Sequence, residues 1–104
     1  MALLSLAAQA WGEAGIPEGE ARPALATLAR QAAAGAAEQD FERALTGPIA
    51  RRDTGTLRAH LASLSSRPKL LEIYVLLASE VLRRTPGRGR EEEILELLSG
   101  SRGW

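Results

Sequence analysis

A chain of 104 residues with 13 basic side chains, 13 acidic side chains, one histidine and no cysteine has the length of one domain, and burying roughly two-thirds of its unfolded surface needs no covalent staple. Without cysteine there is no disulfide, thiolate metal site or thiol nucleophile, and a single histidine excludes multi-histidine metal centres. Zero net charge denies the chain the global positive field of a dedicated nucleic-acid binder.

The opening MALLSLAAQAW is apolar but has no basic n-region and soon meets Glu13, so neither a signal peptide nor a spanning helix is expected, and a cytoplasmic protein without membrane contact is. Leu3, Leu6, Ala7, Ala10, Trp11 and Ala14 recur at helical spacing and predict a first helix. Gly15 supplies the left-handed position after it, Ile16 can fold back on the last turn, and Pro17 bars continuation. A second helix is expected to begin between Glu18 and Pro23 and to carry Leu25, Leu28, Ala29, Ala32 and Ala33, with Glu18 and Glu20 suited to its positive end. Pro23 must lie in the first turn or kink the helix, and Gly35 offers a break. A short helix around Asp40 to Leu45 then turns Phe41, Ala44 and Leu45 inward.

Gly47 and Pro48 together predict a loop over residues 46–52. Asp53 or Thr54 then caps a helix running to about Ser65, with Leu57, Leu61 and Leu64 as its buried stripe. Pro68 starts the next helix, KLLEIYVLLASEVLRR, whose apolar positions go most of the way round, as in an element that is central or shared with a partner. TPGRGR breaks the chain, with Arg88 and Arg90 read as a flexible loop. EEEILELLSG forms a short amphipathic helix through Ile94, Leu95, Leu97 and Leu98 before a frayed SRGW end. No period-2 alternation or internal repeat occurs, so the fold class is all-α.

Polar chemistry concentrates in ALTGPIARRDTGTLRAH, residues 44–60. Asp53 ahead of a helix is most simply an N-cap. His60 borders the apolar stripe, where a packed, hydrogen-bonded histidine and an acid–base group are both open. Arg51 and Arg52 precede a helix N-terminus, a place suited to anions, although two solvated arginines paired with carboxylates fit equally well. No serine–histidine–acid set, GxGxxG turn or Walker loop accompanies them, so an independent enzyme has no identifiable catalytic set.

Taken whole, ALTGPIARRDTGTLRAHL resembles the motif of the all-helical C-terminal domain, a domain of unknown function, in a family of uncharacterised Rossmann-like NAD(P)-dependent oxidoreductases. That motif runs LTGP, a small apolar pair, Arg-Gly-Asp, then Thr-Val and His-Leu. These proteins are distantly similar to pyrroline-5-carboxylate reductase, ketopantoate reductase and the 6-phosphogluconate dehydrogenase C-terminal domain. Matched positions are Thr46, Gly47, Pro48, Arg51, Asp53, Thr56 and His60. AWGEAGIP resembles the end of the family's first helix, and KLLEIYVLLASEVL its later helix with a central tyrosine. Arg52 stands where the family has glycine, and the Gly-rich nucleotide domain, with the first half of the family's long helix, is not found in the sequence.

The resemblance implies one helical bundle of five to six helices that builds a dimer interface and closes a substrate cleft. Arg51, His60 and Thr46 would contact substrate, Gly47 and Pro48 would shape the loop, and Asp53 would cap. It implies no metal and no cofactor bound by this chain alone, with NAD(P) used by the full-length family. The expected partners are a second copy of the chain, a Rossmann domain in cis or in trans and, in the complete enzyme only, a small-molecule substrate. A second expectation is a stand-alone interaction module whose arginine loop takes a phosphate-bearing partner such as nucleic acid. Zero net charge and only four aromatic side chains, Trp11, Phe41, Tyr74 and Trp104, weigh against that one.

Overall fold

The computed structural model describes residues 1–101, and among them are seven α-helices and no strand. The all-α class is as expected, with more helices than the five to six implied. Two compact units divide the chain, Met1–Ala44 and the residues from Leu45 onward.

The first unit holds α1 (Ala2–Glu13), α2 (Glu18–Glu38) and α3 (Phe41–Ala44). α1 stops as its sequence predicts. Gly15 takes φ +94°, its N–H donates to Gly12 O at 3.1 Å, and the N–H of Ile16 donates to Trp11 O at 2.9 Å, which satisfies the last carbonyls of the helix. Pro17 in extended conformation leads into α2, and Pro23 lies inside that helix, where it deletes one backbone hydrogen bond. Gly35 does not break the helix, which runs on to Glu38 because the alanines on either side have the highest helix propensity. Phe41 is also not turned inward: it is 69% exposed. α3 is a single turn capped by Asp40, whose Oδ1 accepts from the Arg43 N–H at 2.9 Å. So short a turn has one inner side, and the half-buried Ala44 lies there. Ala21 and Leu25 of α2 are the buried apolar residues of this unit.

The second unit holds α4 (Pro48–Arg51), α5 (Thr54–Leu64), α6 (Pro68–Arg84) and α7 (Glu91–Gly100). α6 packs against each of the other three. The core joins Ile49, Leu57, Leu61, Val75, Ala78, Leu82, Ile94 and Leu98, with Leu71, Tyr74, Val81 and Leu97 packed partly against it. On α7 the i, i+4 pair Ile94 and Leu98 takes the inner side, so Leu95, expected on the apolar face, is half-exposed. The apolar girdle of α6 is covered only in part, and Leu76 and Leu77 remain 53% and 52% exposed. The frayed end expected from the SRGW sequence falls on residues 102–104, outside the described residues. Among the described residues no helix is long and apolar enough to cross a membrane.

Candidate functional site

The loop expected over residues 46–52 is in fact a helical turn. Gly47 is its N-cap at φ +94°, a conformation that suits glycine, and Pro48 occupies its first position, where a missing N–H is harmless and a fixed φ is already helical. The Gly-Pro step thus starts α4, burying Ile49 and Ala50. The turn ends at Arg52 in the left-handed conformation, φ 60° and ψ 36°, and the chain is closed there by the N–H of Asp53 donating to Pro48 O at 2.8 Å. The glycine of the resembling motif falls at this position, which is where the backbone asks for one.

Arginine at that position has a use for its side chain. Its Nε donates to Gly89 O at 2.8 Å, Nη1 donates to Ile49 O at 2.8 Å and to Thr85 Oγ1 at 3.0 Å, and Nη2 donates to Thr85 O and to Glu91 Oε1, the last at 3.3 Å. All five N–H donors of the guanidinium are therefore used. Arg52 is 6% exposed and Thr85 is fully buried. This arginine ties the end of α4 to the end of α6 and the start of α7, so it is unavailable to an outside anion.

The neighbouring arginines are engaged as well. Arg88 Nη1 donates to Ala50 O at 3.2 Å, and Arg90 Nη1 to Thr54 Oγ1 at 3.3 Å, so the segment read as a flexible loop is fastened to α4 and α5. Glu91 Oε1 accepts from the N–H groups of Arg88 and Gly89, each at 3.1 Å. The Glu91 N–H, then the Arg52 guanidinium and the N–H groups of Gly89 and Arg88, hold this carboxyl below the ordinary glutamate value against the opposing effect of burial. Arg58 pairs with Glu93 at 3.3 Å. Arg52 and Arg58 thus meet Glu91 and Glu93, residues far apart in sequence, in this unit.

Asp53 caps α5 as expected. Its Oδ1 accepts from the Thr56 N–H at 3.0 Å and its Oδ2 from the Thr56 hydroxyl at 2.7 Å. Those two bonds, with the charge of Arg51 behind them, hold the Asp53 carboxyl below its ordinary value. Arg51 lies 3.8 Å from Asp53 Oδ2 and stays 60% exposed, a loose pair that leaves its guanidinium open to solvent.

His60, on the exposed side of α5, meets Tyr74 of α6: Nδ1 lies 3.0 Å from the phenol oxygen. The rings stand edge to face, with centroids 5.7 Å apart and planes at 85°. Burial raises the Tyr74 hydroxyl above the ordinary phenol value. Tyr74 also lines an open groove of about 200 Å³ with Thr46, Pro48, Ile49, Leu77, Ala78 and Val81. Thr46, Pro48 and, through Tyr74, His60 are therefore gathered at one place, whereas Asp53 and Arg52 serve the frame behind it. Sequence reasoning names Thr46, Pro48 and His60 as site residues but not Tyr74, whose signals are a polar hydroxyl in the middle of an apolar helix and its place as the central tyrosine of the resembling helix.

Residues 1–81 match the family model described as a domain of unknown function (DUF2520). The chain belongs to this family. Comparisons with curated proteins and with solved structures find no match. The stretch matched in this DUF2520 chain contains α4, α5 and most of α6, hence the whole Thr46–His60–Tyr74 grouping. Among the described residues no group of three histidine or carboxylate side chains is placed to hold a metal ion. The grouping offers hydrogen-bonding atoms beside an apolar groove, which is the equipment of a binding wall more than of a self-contained catalytic set.

Proposed function

We propose that this DUF2520 chain is the dimerisation and substrate-cleft domain of a Rossmann-like NAD(P)-dependent oxidoreductase, and that it does not transfer hydride by itself. The observation that carries this reading is the grouping of Thr46, Pro48 and Tyr74 around one open apolar groove, with His60 hydrogen-bonded to that tyrosine. They form one wall for a small substrate with an oxygen-bearing head, and Arg51, exposed ahead of α5, is placed to add charge for an anionic one. The resemblance of ALTGPIARRDTGTLRAHL to the oxidoreductase motif supplies the reaction class. Nicotinamide dinucleotide does not fit the described residues, since its usual site needs a glycine-rich turn between a strand and a helix, and there is no strand among them. The cofactor would be held by a domain in cis or in trans.

Dimerisation is supported by the partly uncovered girdle of α6, where Leu76 and Leu77 are adjacent and half-exposed. The rival reading, an arginine loop that takes a phosphate-bearing partner, has less support. Arg52 and Arg58 are paired with Glu91 and Glu93, and the Arg88 and Arg90 side chains are tied to Ala50 O and Thr54 Oγ1, so with zero net charge the chain has little excess positive field with which to release counterions. Gel filtration coupled to light scattering tests the dimer. The chain should run at twice its mass of 11.1 kDa at micromolar concentration, and Leu76→Glu should reduce it to a monomer with unchanged helicity. A wild-type monomer at that concentration overturns the dimer.

A further inference from the structure

His60 and Tyr74 form a polar pair whose internal direction decides what the histidine offers a ligand. Nδ1 and the phenol oxygen are 3.0 Å apart, and one proton lies between them. The hydroxyl of a phenol is a good donor and its oxygen a poor acceptor, whereas the unprotonated nitrogen of a neutral imidazole is a good acceptor. Among the described residues the Tyr74 hydroxyl has no other acceptor, so the opposite arrangement, with Nδ1–H donating, would leave the hydroxyl proton without a protein partner. Edge-to-face packing of the two rings opposes ring rotation and keeps Nδ1 on the tyrosine.

We propose that Tyr74 is a positioning residue for His60: its hydroxyl donates to Nδ1 and fixes the imidazole as the Nε2–H tautomer, so His60 presents a hydrogen-bond donor suited to a carbonyl or carboxylate oxygen. Nε2 makes no hydrogen bond to the described residues, and His60 is exposed. Its partner Tyr74 lines a groove whose other walls are mainly apolar, Pro48, Ile49, Leu77, Ala78 and Val81. An N–H carried on the residue hydrogen-bonded to a groove-lining tyrosine suits a compact molecule with an apolar body and an oxygen acceptor at one end, such as a short keto acid or an aliphatic aldehyde. That ligand class rests on the cleft reading above, whereas the tautomer is a property of this chain alone.

The test is a long-range proton–nitrogen correlation spectrum of the uniformly nitrogen-15-labelled full chain at about pH 8.5, well above the ordinary histidine value of about 6.5. The expected spectrum has His60 Nδ1 at an acceptor-type shift and Nε2 at a proton-bearing one. Tyr74→Phe, checked for retained helicity by circular dichroism, should move both nitrogens toward the averaged shifts of a tautomer mixture. A wild-type spectrum with the proton on Nδ1 overturns the proposal, and so does a folded Tyr74→Phe variant with unchanged shifts. If that variant fails to fold, the same tautomer measurement on His60 in Tyr74→Met, which removes the hydroxyl and brings no N–H or O–H donor, replaces it. A monomeric chain would remove the dimer while leaving this spectrum as expected, so the two failures are distinguishable.

Discussion

At the residue scale, Arg52 is the position where backbone and side chain make opposed demands. The left-handed conformation costs an L-residue other than glycine roughly 1 kcal/mol, yet the side chain fills its whole donor capacity in a buried place. Arg52→Gly should relieve the first and lose the second, and Arg52→Ala should lose the second without relieving the first. Leaving the carbonyls of Ile49, Thr85 and Gly89 short of their donors is expected to cost about 3 kcal/mol. Urea denaturation should therefore rank wild type above Arg52→Gly, and Arg52→Gly above Arg52→Ala by about 1 kcal/mol. Equal stability of the two variants would contradict the strained backbone. Asp53 was legible in advance because N-capping depends only on neighbours along the chain. Arg52 was not, because its partners Thr85, Gly89 and Glu91 become neighbours only after α6 has doubled back.

At the scale of the element, helix stops and starts are legible in the sequence where one residue has one meaning. Gly15 after α1 and Pro68 at the head of α6 are such cases. Pro48 has two meanings, breaker and first residue, and the conformation of Gly47 before it decides in favour of the second. Gly35 was ambiguous in the same way, and the propensity of its alanine neighbours carried α2 through it. A glycine kept inside a helix weakens it, and here a Cβ would meet nothing within 4 Å. Gly35→Ala should accordingly stabilise α2 by about 1 kcal/mol. A raised thermal midpoint, followed by far-ultraviolet circular dichroism, is the expected outcome. An unchanged or lowered midpoint would mean that the methyl group meets an obstacle or that α2 does not limit unfolding.

At the scale of the whole molecule, zero net charge conceals an ordered arrangement. The basic residues of α5 and the turn before it face the glutamates that open α7, through Arg52–Glu91 and Arg58–Glu93. The meeting of these arginines and glutamates is not legible in the sequence, since pairing across 35 residues or more depends on topology. The candidate site follows the same rule: the motif residues were visible as a string, whereas Tyr74 joined them only through the packing of α5 on α6. The family match ends at residue 81, although Ile94 and Leu98 beyond it complete the core of the second unit. The Arg52 clamp also has a consequence in time. Its partners outside α4 lie 33 to 39 residues further along, so it closes after the chain between has been ordered and belongs to the late, native side of the folding barrier. Its loss should then shorten the lifetime of the native state without slowing the search for it. In stopped-flow experiments Arg52→Gly should unfold about thirtyfold faster and refold at nearly the wild-type rate, and a refolding rate lowered by the same factor would place the clamp in the folding nucleus instead.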